Sequence, residues 1–108
     1  MTQDRPTISV VIVSRGRPAS LSLCLMGVAR LVYAPYEIVV VADALGLEAA
    51  RALPFAAALK LVAFDEANIS AARNAGVLAA GGEIIAFIDD DAVPEPAWLA
   101  HFATAFAQ

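Results

Sequence analysis

The 108-residue chain has one cysteine, one histidine, one lysine and few aromatic residues (7%). Cys24 has no partner for an internal disulfide, which fits a reducing compartment. A lone His101 with a lone cysteine does not make a His/Cys metal centre. Positive charge is scarce: seven Lys and Arg stand against eleven Asp and Glu, for a formal charge of −4. No broad basic surface is available for a phosphate backbone or an anionic bilayer, so no nucleic-acid partner is expected. Long apolar runs are missing although 60% of the residues are hydrophobic. The aliphatic stretches Ile8 to Val13 and Ile38 to Ala42 fall far short of the roughly 20 residues of a membrane-spanning helix. The opening Met1-Thr-Gln-Asp-Arg-Pro6 has no basic segment followed by a long apolar one, so no secretory leader is expected. The expected location is cytoplasmic, with any membrane association belonging to a full-length protein.

What remains is enough for one core. A chain of this size buries roughly 60 to 70% of its unfolded surface on folding, which suits a single domain over residues 1–108 without a separate acceptor-binding unit. Apolar, β-branched runs at Ile8 to Val13, Glu37 to Val41, Leu59 to Phe64 and Glu83 to Ile88 read as strands. The first, second and fourth are apolar almost throughout, as in a parallel sheet covered on both faces. Between them Pro18 opens a helix with a stripe of Leu21, Leu25, Val28 and Ala29. Leu47 to Leu53 forms a short helix ended by Pro54, and Asn68 or Ser70 caps a third that stops at Gly81-Gly82. Pro94 and Pro96 lead into a last helix bearing Trp98, Leu99, Phe102 and Phe106. The order βαβαβαβα predicts an α/β fold, a Rossmann-like open parallel sheet of about four strands with helices on both faces.

Ligands of such sheets bind beyond the carboxyl ends of the strands. The residues there are Ser14, Arg15 and Arg17 after the first strand, Asp43 after the second, Asp65 and Glu66 after the third, and Asp89-Asp90-Asp91 after the fourth. If the chain stays extended through the triplet, Asp89 and Asp91 share a side and Asp90 points away. Two carboxylates so close repel unless a hard divalent cation joins them. Asp89 and Asp91 are therefore the candidate metal ligands, with Mg²⁺ or Mn²⁺ completed by water and substrate phosphates. The plain alternative is that Asp91 caps the helix near Pro94. Asp65 and Glu66 suit a polar turn, Cys24 and Trp98 suit core packing, and His101 suits a solvent-facing position.

The segments Ile8-Ser-Val-Val-Ile-Val13, Glu37-Ile-Val-Val-Val-Ala-Asp43, Ser70-Ala-Ala-Arg-Asn-Ala-Gly76 and Phe87-Ile-Asp-Asp-Asp91 with Pro96-Ala-Trp-Leu99 together resemble family 2 glycosyltransferases of the GT-A fold, in order and spacing, over nearly the whole chain. The resemblance implies a domain that binds a nucleoside-diphosphate sugar, with a UDP-sugar favoured, for inverting glycosyl transfer. It implies that Asp43 recognises the base, that Arg73 lies near the nucleotide, that Asp89 serves the ribose and sugar, and that Asp91 holds the metal bridging the diphosphate. Ser14 joins them as a nucleotide-sugar contact at the end of the first strand. Ala42 stands where the family usually has an Asp, Ala44-Leu45 where it has Gly-Ser, and Asn68 where it has Gly. Family members continue into acceptor-binding segments and a carboxylate base, so the base is expected beyond residue 108 and the chain is expected to be the donor half of a longer enzyme. The bare edge of the fourth strand then predicts self-association. Two rivals share parts of the pattern. A haloacid dehalogenase-like phosphatase also uses an Asp-x-Asp after a strand, here Asp89 and Asp91, but opens its domain with it. A receiver-like regulatory domain needs an acidic pair after the first strand, where this chain has Ser14-Arg15-Gly16.

Overall fold

In the computed structural model, which describes residues 5–106, the strands are β1 (Ile8–Ser14), β2 (Tyr36–Ala42), β3 (Leu59–Ala63) and β4 (Ile84–Asp89). The helices are α1 (Pro18–Val28), α2 (Ala44–Arg51), α3 (Ile69–Ala79) and α4 (Trp98–Phe106), with a 3₁₀ turn at Ala56–Ala58. The readings of the leaderless start and of the end at Gln108 lie outside the described residues. All strand pairings are parallel and the order is β3-β2-β1-β4, the open α/β sheet expected from the alternation of elements.

The apolar runs have their physical reason in this topology. Ile8, Val10 and Ile12 of β1 face one layer, where they pack with Leu21, Cys24, Leu25 and Val28 of α1, Leu47 and Ala50 of α2, and Leu99 of α4. Val11, Val39 and Val41 face the other layer, where Ala72 of α3 covers them. Burying each such side chain is worth roughly 1.5–3 kcal/mol, and with both faces covered no position of β1 can be polar without a partner. Ala29, grouped by spacing with the α1 stripe, lies exposed just past the helix end. The second helix begins at Ala44, three residues before the predicted start, because Asp43 caps it by accepting from the Gly46 N–H. Asn68 caps α3 by accepting from the Ala71 N–H. No helix among the described residues is long and apolar enough to cross a membrane.

Helix α3 lies close against the sheet. A Cβ on Gly76 would stand 2.5 Å from Val11 Cγ1 and 3.2 Å from Val41 Cγ2, so hydrogen is the only side chain that fits there. At the opposite, amino-terminal edge of the sheet, Ser9 and Glu37 form a polar clamp. The Ser9 hydroxyl donates to Glu37 Oε2 and accepts from the Gly82 N–H (2.8 Å). The Gly81 N–H donates to the same carboxylate (2.6 Å), and Lys60 Nζ lies 3.1 Å from its other oxygen while donating to the Ala79 carbonyl (2.8 Å). The clamp thus fixes the turn from α3 into β4.

Two outcomes are expected. Gly76→Ala gains roughly 0.5–1 kcal/mol of helix propensity but overpacks the α3 interface at a cost of roughly 1–3 kcal/mol, so urea titration should show net destabilisation; a more stable variant would contradict this close approach. Burial by itself would raise the Glu37 pKa, but the bonds from Ser9 and Gly81 and the charge of Lys60 outweigh it and hold the carboxyl below its ordinary 4.5. Its contribution is then complete above that value and disappears as pH falls through the lower folded one. The loss of thermal stability from about pH 5 to about pH 3 should be smaller in Glu37→Gln than in the parent chain, and equal losses would exclude the clamp as its source.

Candidate functional site

Helices α1 and α2 carry the chain from β1 through β2 to β3 on one face of the sheet, whereas α3 carries it from β3 back to β4 on the other. The strand order reverses between β1 and β4, and it is beyond the carboxyl ends at such a switch point that sheets of this kind hold ligands. Three adjoining hollows line that rim. The central one, about 370 Å³, has an apolar floor that includes Val13, Val41, Phe64 and Ile69, and a polar border of Ser14, Arg15, Arg17, Glu66, Asn68 and Asp90. Beside it, sharing Phe64, is an open hollow of about 460 Å³ with Asp43, Arg51 and Asp65. On the other side, sharing Val13 and Ile69, a niche of about 20 Å³ is lined by Arg73, Phe87 and Asp89.

The β1–α1 loop supplies the positive charge. Gly16 has φ +72°, a left-handed conformation that glycine enters without steric cost, and its N–H donates to Asp43 Oδ2 (2.8 Å). This tight turn leaves Arg15 paired with Asp65 (3.0 Å) and Arg17 directed at the aspartates after β4. Arg17 Nη2 is 3.3 Å from Asp90 Oδ1 and 3.4 Å from Asp91 Oδ2. Asp90 is 8% exposed, and its other oxygen accepts from the Ser14 hydroxyl (2.9 Å). The end of β4 is thereby tied to the end of β1 by a buried carboxylate.

The extended reading of the triplet does not hold. The strand stops at Asp89 and the chain turns, with the Ala92 N–H donating to the Asp89 carbonyl (3.0 Å). The side-chain alternation ends there: Asp91 meets Arg17 in company with Asp90, while Asp89 faces Arg73 and Phe87 in the niche. Asp91 does not cap a helix, since α4 begins only at Trp98. Among the described residues no three His, Cys, Asp or Glu side chains converge as a ready metal cage. Asp43 has one oxygen on the Gly16 N–H and the other on the Gly46 N–H (3.0 Å), so it holds the β1–α1 loop against the start of α2. Arg73 lies over the Phe87 ring, 5.5 Å from its centroid.

Over residues 9–108 the chain matches the family profile described as Glycosyl transferase family 2. The chain belongs to that family. The phosphatase and receiver alternatives are set aside by this membership. Among solved structures, the mannosyltransferase PcManGT from Pyrobaculum calidifontis, in complex with GDP-Man and Mn²⁺, is similar with a TM-score of 0.86 and 26% identity, over 97% of this chain and 33% of that one. The S. aureus TarS 1-349 structure has a TM-score of 0.81 at 21% identity, covering 94% of this chain and 32% of that one. The same protein in complex with UDP has a TM-score of 0.78 at 23% identity, with the same coverage. At such identities the likeness to TarS shows the fold alone. No curated protein matches at a significant level. This glycosyl transferase family 2 chain spans about a third of the length of these solved relatives.

The remaining polar groups of the family 2 domain stand apart from the rim or are inert. Cys24 is buried, its thiol donates to the Asp89 carbonyl (3.5 Å), and burial together with Asp90, Asp91 and Asp89 pushes its pKa up to about 11. It remains a protonated packing residue. Glu95, just before α4, lies 3.7 Å from His101 within it, and both are well exposed. Strand-end position had placed Arg17 and Asp90 on this rim without a role; the contact between the β1 and β4 ends gives them one.

Proposed function

We propose that this chain is the donor-binding half of a family 2 glycosyltransferase and seats a nucleoside-diphosphate sugar along the carboxyl rim of its sheet. The observation that carries this reading is the central hollow at the switch point, where an apolar floor is bordered by Arg15, Arg17 and Asp90, and Arg17 reaches the aspartate turn. A base over the Phe64 side of the floor lies next to the Asp43 hollow. The diphosphate then falls within reach of the arginines, whose forked guanidinium heads suit phosphate oxygens. Asp89 is assigned to the ribose and sugar, Arg73 to the neighbourhood of the nucleotide, and Ser14 to a contact with the nucleotide sugar. The complex of PcManGT with GDP-Man and Mn²⁺ supports a nucleotide-sugar donor for this chain, and the complex of TarS with UDP agrees with it. A uridine nucleotide is favoured, and the cytoplasm is the proposed location.

The residues fit a hard divalent ion. Asp91 is exposed, Asp90 is beside it, and a cationic head already lies within 3.4 Å of both. Mg²⁺ and Mn²⁺ need only one or two protein carboxylates when phosphates and water complete the shell. Such an ion on Asp91, with Asp89 towards the sugar, would supply Lewis-acid stabilisation of the leaving diphosphate. The inverting displacement needs a base that is assigned to the acceptor side of the full-length enzyme. Calorimetry with UDP and with GDP should show binding in Mn²⁺ that weakens by roughly tenfold or more in EDTA, an effect of about 1.4 kcal/mol. Asp91→Asn should remove most of that difference. Equal binding in EDTA excludes the metal bridge, and binding of neither nucleotide excludes the donor site.

A second part of the proposal concerns the edge of β4. Among the described residues β4 pairs only with β1, and Phe87 on it is 42% exposed. Bare apolar edges invite strand addition, so the chain by itself should form dimers or larger species as its concentration rises. Light scattering that finds a monodisperse monomer throughout would exclude this.

A further inference from the structure

We infer that Arg17 is a positioning residue that occupies the cation's place on the aspartate turn and makes metal and nucleotide binding depend on each other; the inference rests on the donor-site reading above. Among the described residues, its guanidinium is the one side chain paired with both Asp90 and Asp91. The two contacts are unequal. Asp90 is 10% exposed at its side chain and is also bound by Ser14, whereas Asp91 is 62% exposed and Arg17 is 50% exposed. Exposed pairs are weak and readily exchanged, while a nearly buried carboxylate keeps its partner. Asp90 is therefore the anchor and Asp91 the releasable contact.

This asymmetry has a direct electrostatic result. A divalent ion arriving without a nucleotide meets a guanidinium already neutralising its ligands, and like charge at that distance opposes it. A diphosphate arriving in the neighbouring hollow offers Arg17 a new anionic partner. The guanidinium can pivot on Asp90 towards it, since Arg17 lines the same hollow as Asp90, and this frees Asp91. Ion and nucleotide then enter as a pair, each tightening the other by the same factor, as linkage requires. Arg17 sits at the amino end of α1, just before Pro18 and after the Gly16 turn, so its backbone is fixed and only the side chain needs to move.

The test measures Mn²⁺ affinity by the electron paramagnetic resonance of free Mn²⁺, with and without UDP or GDP, for the parent chain and for Arg17→Gln and Arg17→Lys. Circular dichroism and thermal melting verify folding. Arg17→Gln should bind Mn²⁺ alone roughly tenfold more tightly than the parent, and the enhancement of Mn²⁺ affinity by nucleotide should shrink by a similar factor. Arg17→Lys, whose compact ammonium cannot span two carboxylates in a fork, should move in the same direction by less, and it decides the matter if the glutamine variant does not fold. In the Asp91→Asn background the Arg17→Gln effect on Mn²⁺ should vanish, as a double-mutant cycle requires when the two act on one another. Unchanged or weaker Mn²⁺ binding in both Arg17 variants, with nucleotide still bound by the parent, overturns the role of Arg17 and leaves the donor site standing. A parent chain that binds neither nucleotide in Mn²⁺ overturns both.

Discussion

The buried carboxylate of Asp90 joins the ends of two strands that the chain visits far apart. Its bonds to Ser14 and Arg17 link β4 to β1 at the point where the strand order reverses. A carboxylate oxygen with so little exposure needs a donor in place of water, and the Ser14 hydroxyl and the Arg17 guanidinium supply one to each oxygen of Asp90. Everything on the rim depends on that closure. It bends the chain after Asp89, separates Asp89 from Asp91, and sets Arg17 against the triplet.

Under the proposed reading, the rim reconciles an acidic chain with an anionic ligand. Net charge of −4 gives no general attraction for a diphosphate, and none is needed when two arginines border the hollow itself. Gly16 matters because its left-handed turn lets Arg15 and Arg17 leave the same short loop, while Asp43 holds that loop by its backbone. Asp43 thus links the β1 end to the β2 end as Asp90 links it to the β4 end. The three strand ends form one connected border made of aspartates bonded to donors from their neighbours.

The fold was legible because burial on both faces leaves strands few choices. The runs in β1 and β2 are apolar at consecutive positions, and that pattern suits only a sheet covered on both sides. Boundaries moved where a single polar contact decided them, as when the Asp43 cap started α2 at Ala44. The site was legible in part. Strand-end position pointed to Ser14, Arg15, Arg17, Asp43, Asp65, Glu66 and the aspartate triplet, and family resemblance added Arg73. The side on which each aspartate falls was not legible, because alternation applies only while the backbone stays extended, and here it turns after Asp89.

By itself the amino-acid sequence determined the class of fold, the order of its elements and the rim on which polar residues collect, since all three follow from local periodicity and from which segments are too apolar to meet water. Only the tertiary structure decided which rim residues touch. Arg17 and Asp91 are far apart along the chain, as are Ser14 and Asp90, and their meeting depends on β4 pairing beside β1. Strand order is a property of packing across the whole sheet, and no local pattern in the chain encodes it.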